Sequence, residues 1–150
     1  MKCFKLILIS LLVCFIGSRC APEVPEQCKE FYSLTSNQQE KVFPTYSLEK
    51  QIVLHRCGMD HRPPTTVYSI YIAERGEPAI PFLLERLESE KNELSQYAII
   101  DIFEVMSIKG YLRNRSDVVS RIRQVVSRMK ISTFKEMAQK DLDEIEKNNL

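Results

Sequence analysis

Seven consecutive residues, His55-Arg56-Cys57-Gly58-Met59-Asp60-His61, concentrate the metal-ligand types of this chain. Imidazole, thiolate, thioether and carboxylate are donors that copper or zinc select. The spacing matches no zinc pattern, in which ligands recur about two to four residues apart in both halves of the site. His55, Asp60 and His61 remain the metal candidates, and the loop His55-Cys57-His61 is the alternative functional centre. The reading preferred here is a polar loop without a metal. A second constellation is Asp101 and Glu104, two carboxylates at i, i+3 with the spacing for general acid–base work. They stand on an otherwise apolar segment and also read as the narrow solvated strip of a central helix. No nucleophile elbow, P-loop, HExxH or dinucleotide fingerprint occurs. No catalytic residue and no cofactor is therefore assigned, and the chain is expected not to be an enzyme.

Lys109, Arg113, Arg115, Arg121, Arg123, Arg128 and Lys130 oppose a single acid, Asp117, over one stretch. That is the charge of an anion-binding patch. On a helical wheel, however, Arg121, Arg123 and Arg128 flank an apolar stripe, where arginines lay their stems over the core rim. Asp141, Asp143, Glu144 and Glu146 in the last segment are available to pair with them.

The N-terminus belongs to targeting rather than to the fold. Lys2 and Lys5 precede an apolar run from Leu6 to Ile16, interrupted only by Ser10. A bilayer-spanning helix needs ~20 residues, so the run fits a signal peptide over residues 1–20. Ser18 and Cys20 are small enough for a cleavage site before Ala21. Gly17-Ser18-Arg19-Cys20 also resembles a bacterial lipobox, in which the Cys becomes the acylated first residue, although Arg19 stands where that motif has a small side chain. Residues 21–26, rich in Pro and Glu, then read as a flexible stem. Both readings place the chain outside the cytoplasm, periplasmic or secreted, with Cys20 the candidate lipid anchor to a membrane.

Of five cysteines, Cys3, Cys14 and Cys20 lie in this leader, which leaves Cys28 and Cys57. Two cysteines in an exported chain imply one disulfide. Closing a loop of about 30 residues stabilises a small domain by roughly 3 kcal/mol. The same bond would remove the strongest ligand from the His55 loop. Loss of residues 1–20 removes Lys2, Lys5 and Arg19 and no acid, turning the formal charge of +1 into −2. Nucleic acid is thereby excluded as a partner by charge.

With 150 residues, 44% hydrophobic and 27% charged, the chain has room for one domain, placed over residues 27–150, and is neither disordered nor collagen-like. Cys28, Phe31 and Tyr32 share one face of a short helix, Ser33 to Asn37 read as a turn, and Pro44 as a break. Ser47 caps a helix over 48–57 with Gly58 beyond its end. Residues 66–73, where Val67, Tyr68, Ile70, Tyr71 and Ile72 crowd together, fit a strand by propensity. The helical pattern Val67, Ile70, Tyr71, Glu74, with Pro64 before it and Gly76 after it, favours a helix. Pro78 opens a helix to about Leu87 that buries Ile80, Leu83, Leu84 and Leu87. Residues 93–108 are apolar nearly all round, the mark of a helix enclosed by neighbours. Ser116 caps a helix to Met129 with a stripe of Val118, Val119, Ile122, Val125 and Val126. Thr133 and Glu136 form a capping-box pair for a last helix to about Lys147, burying Phe134, Met137, Ala138, Leu142 and Ile145. Asn148 and Asn149 read as an unordered end.

Gly76, Ala79, Pro81, Leu83, Leu87 and Ala98 form a glycine turn, a proline-initiated second helix and the following partner helix. Residues 65–129 thereby resemble HEAT-type α-solenoid repeats, with Glu88 or Glu90 where that family often has Asp, and Ser95 or Gln96 where it often has Arg. The resemblance implies a short helix-pair stack, and a compact helical bundle is the alternative all-α architecture. It also implies a binding module, so the expected partner is another protein.

Overall fold

The computed structural model describes residues 25–60 and 65–149. The expected signal peptide, the stem before Pro25, Cys20, His61 and Pro64 lie outside the described residues. Among these residues the fold is all-α: α1 (Glu26–Tyr32), α2 (Ser36–Val42), a 3-10 turn (Phe43–Thr45), α3 (Leu48–Met59), α4 (Val67–Ala73), a second 3-10 turn (Glu77–Ala79), α5 (Ile80–Ser89), α6 (Glu93–Ile108), α7 (Ser116–Arg128) and α8 (Ser132–Asn148). No described helix is long and apolar enough to cross a membrane.

The segment 66–73 is helical, but its buried side is Tyr68, Ser69, Ile72 and Ala73. The expected stripe through Val67 and Ile70 instead faces outward, each about two-fifths exposed. Residues 33–37 are not only a turn. Thr35 starts α2, and the Gln38 carboxamide oxygen accepts its backbone N–H at 3.0 Å, half of a capping box already written in the Thr-x-x-Gln spacing. Gly58 does not follow α3 but lies inside it. A Cβ there would come within 2.5 Å of Tyr32 Oη and 2.9 Å of the Thr65 carbonyl oxygen. The glycine serves close approach rather than helix termination. Ser116 is the first residue of α7, with Arg115 preceding it.

Chain ends fix the helix directions. Lys109 meets Glu74 at 3.7 Å, joining the C-terminal ends of α4 and α6. Asn148 Nδ2 donates to Ser107 Oγ at 3.3 Å, joining those of α6 and α8. At the opposite end the Glu93 carboxylate accepts from the backbone N–H groups of Lys130 and Ile131 at 2.7 and 2.8 Å. Helices α6 and α8 therefore run parallel, and α4 meets α6 at their C-terminal ends. Asn149 accepts from the backbone N–H groups of Asn114 and Arg115, which sets α7 antiparallel to α8. Helix α6 packs on α3, α4, α5 and α8, and α7 packs on α5 and α8.

Two end signals differ from the sequence reading. Helix α8 has no side-chain cap of its own; the carboxylate of Glu93 binds the N–H groups at its entry, in place of the Thr133–Glu136 pair. Asn148 and Asn149 are hydrogen-bonded rather than unordered. Met137 is about two-fifths exposed, and Asp141 instead joins the buried side of α8.

The core runs through α6, where Ile100, Ile102, Phe103 and Met106 are fully enclosed. Each such side chain contributes about 1.5–3 kcal/mol by leaving water. At the N-terminal end Cys28 and Cys57 form a disulfide, with Cα atoms 6.3 Å apart, that ties α1 to α3. Beside it Phe31, Phe43 and Tyr68 make an aromatic cluster with centroids 4.5 to 5.8 Å apart. Arg75 donates to the Gln51 side chain at 2.8 Å and to the Tyr46 carbonyl at 2.7 Å, holding α4 against α3.

Candidate functional site

Beyond its first turn, helix α6 is so apolar that its two acids there, Asp101 and Glu104, are conspicuous. Residues three apart project from one face, and that face meets α8, where Asp141 sits in register. One oxygen from each of Asp101, Glu104 and Asp141 lies within 4.8 Å of the other two. Asp101 and Asp141 are each 8% exposed, and Glu104 is half-buried. The expected solvated strip is thus part of a helix–helix seam. Apolar residues surround these acids on α6, so packing α8 against that helix carries the carboxylates inward with it.

The electrostatics follow from the burial. Loss of water and the nearby Glu104 and Asp101 charges push the Asp141 carboxyl up to about 7, against a small lowering by Lys140. Burial, then Asp101 and Glu144, raises Glu104 as well. Tyr97, one turn before Asp101, has its phenol raised by burial and by the same three carboxylates. Oδ2 of Asp141 and Oδ2 of Asp101 are both buried and without a hydrogen-bond partner.

His55 approaches from α3. Its ring is fully buried, with Nε2 3.2 Å from the Ala98 carbonyl and 3.1 Å from Asp101 Oδ2. The carbonyl can only accept, so Nε2 carries the proton, and the N–H aims at that carbonyl rather than at the carboxylate. The four groups His55, Asp101, Glu104 and Asp141 thus come from three helices.

The structure does not bring together the described members of the His55–His61 loop. Cys57 is in the disulfide. His55 points inward, whereas Asp60 is exposed and pairs with Arg56 at 3.3 Å. The basic stretch is spread over separate partners. Arg121 binds Glu88 through two hydrogen bonds of 2.6 and 2.7 Å, and Arg123 binds Glu146 at 2.9 and 3.0 Å. Arg115 pairs with Asp117 at 3.2 Å. Asp141, one of the acids offered to these arginines by the sequence, turns to the seam instead. A groove of about 230 Å³ opens between α3, α5 and α6 over Ile52, Val53 and Ile99. Its rim arginines are already engaged, Arg56 by Asp60 and Arg86 by Glu90 at 3.3 Å.

Sequence reasoning found Asp101 and Glu104 but missed Asp141 as their companion. The available signal was an acid at the i+3 position after Ala138 and just before Leu142, on the apolar stripe of α8. Comparison with protein families, with curated proteins and with solved structures finds no match for this chain. Its function is read from these residues.

Proposed function

We propose that this is an exported, non-catalytic α-helical module of the cell envelope or periplasm that binds another protein. The observation that carries the reading is the outward face of α4, where Val67 and Ile70, one turn apart, stand in water at 42% and 44% exposure. Neighbouring β-branched side chains left in solvent gain by being covered. The parallel α6–α8 pair, with α4 and α5 packed on α6 and α7 packed on α5 and α8, supports the HEAT-like resemblance, in which stacked helices offer such a face. The Cys28–Cys57 disulfide supports an oxidising compartment and with it the reading of residues 1–20 as a signal peptide.

The test is site-specific photocrosslinking in the native host from positions 67 and 70, with Ile70→Asp as the control. One reproducible adduct from both positions, lost in the Asp variant while its helical circular dichroism persists, is the expected result. Positions 67 and 70 yielding no adduct, in soluble and membrane fractions alike, would overturn the proposal. The intact mass from each fraction reports the compartment: a start at Ala21 in the soluble fraction means free export. A start at Cys20 with acyl chains in the membrane fraction means a lipoprotein.

A further inference from the structure

We propose that Asp101, Glu104 and Asp141 together hold one hard divalent cation, calcium by preference, between α6 and α8. Three observations meet here. One oxygen from each carboxylate lies within 4.8 Å of the others, a span that a calcium ion with oxygen ligands at about 2.3–2.6 Å bridges. Asp141 is more than nine-tenths buried, comes from a different helix than the other two, and its Oδ2 reaches no donor. A carboxylate taken out of water without a partner is strongly disfavoured, and here two more carboxylates face it.

The neighbouring positive group does not fill that role. Lys140 is exposed and lowers Asp141 only as the smallest of the influences on it. His55 donates its Nε2–H to the Ala98 carbonyl and leaves Asp101 Oδ2 without a donor, so it does not satisfy these carboxylates. The donor set is then purely oxygen, which suits calcium, magnesium or manganese and not zinc or copper. Magnesium demands a tight octahedron at about 2.0–2.1 Å, whereas carboxylates fixed by two packed helices suit calcium's looser geometry. Glu104, half-buried, marks the side on which water completes the shell.

The experiment uses the full chain, oxidised and stripped with chelator, titrated with calcium chloride by calorimetry and followed by thermal melting. One ion per chain is expected, with a Kd of about 10⁻⁴–10⁻³ M and a melting temperature that rises with calcium. Terbium is the optical probe: excitation of Tyr97 beside the site sensitises its emission, calcium displaces it, and Tyr97→Phe removes the emission while leaving the calorimetric binding. Asp141→Asn loses at least about tenfold in affinity yet melts higher than the wild type without calcium, because a buried charge is gone. Glu104→Gln, at the half-buried position, repeats the loss should Asp141→Asn fail to fold. The proposal is overturned if the wild type shows no saturable binding of calcium, magnesium or manganese, or if both variants bind as the wild type does. It is equally overturned if calcium leaves the melting temperature unmoved while acidification alone raises it, since protons then neutralise the seam.

Discussion

Replacing Gly58 by Ala sets two effects of opposite sign against each other. In an open helix the change adds about 1 kcal/mol of stability, because alanine loses less backbone freedom. At this position the new methyl meets Tyr32 Oη at 2.5 Å and the Thr65 carbonyl oxygen at 2.9 Å, both nearer than van der Waals contact. Tyr32 Oη donates to the Leu54 carbonyl at 2.8 Å, so moving it away costs a hydrogen bond of about 1 kcal/mol. Overpacking of this kind costs about 1–3 kcal/mol. The net expectation for Gly58→Ala is destabilisation by about 1–3 kcal/mol, measured as a lower urea midpoint at unchanged slope. A double-mutant cycle with Tyr32→Phe isolates the cause. Without the hydroxyl, the alanine should cost about 1 kcal/mol less, with the Thr65 contact accounting for the remainder. A Gly58→Ala protein more stable than wild type, or a cost that Tyr32→Phe leaves unchanged, would refute the close-approach argument.

Reducing the Cys28–Cys57 bond, which spans 29 residues, should add two hydrogens to the mass and lower stability by roughly 3 kcal/mol; Cys28→Ala/Cys57→Ala should melt at the same lowered temperature and ignore reductant. Glu93→Ala removes a carboxylate that binds two backbone N–H groups, and should cost about 1–2 kcal/mol. Hydrogen exchange at Lys130 and Ile131 should accelerate before exchange in the middle of α8 does. The Arg121 guanidinium holds the exposed Glu88 carboxyl below its ordinary 4.5, so the pair contributes above that pH and its contribution is lost as pH falls through the lowered value. Carboxyl NMR titration should show the depressed midpoint in wild type and its return toward normal in Arg121→Ala or in high salt.

Much of the architecture is written in periodicity. The bounds of α6 and the buried stripes of α5 and α7 follow from helical spacing and end signals. Failures occur where a residue's neighbour lies far away in the chain. The helical spacing and the Pro64 and Gly76 end signals identify 66–73 as a helix, but α3 and α6 choose which side of it is covered. Thr133 and Glu136 have capping spacing, yet the entry to α8 is satisfied by Glu93 from another helix. The carboxylate seam was half visible. Asp101 and Glu104 stand out on an apolar segment, but polar residues on such a segment ordinarily mark its wet side, and only packing against α8 shows that this side is closed. The apolar stripe of α8 marks Asp141 as buried, but nothing local tells which helix it then faces.

The parallel run of α6 and α8 has a consequence for the order of assembly. Antiparallel neighbours can zip together from a short turn, but here the whole of α7 intervenes before α8 can lie along α6. Until α8 is made, the face of α6 bearing Asp101 and Glu104 remains in water, although the N–H groups that Glu93 holds, those of Lys130 and Ile131, already precede that helix. An incomplete chain is thus spared the burial of its acids and lacks the layer that closes the fold. Closure then waits on α8, so a chain in which that helix is still unmade stays looser than one that has it, and a truncation within α8 arrests the molecule in that looser state.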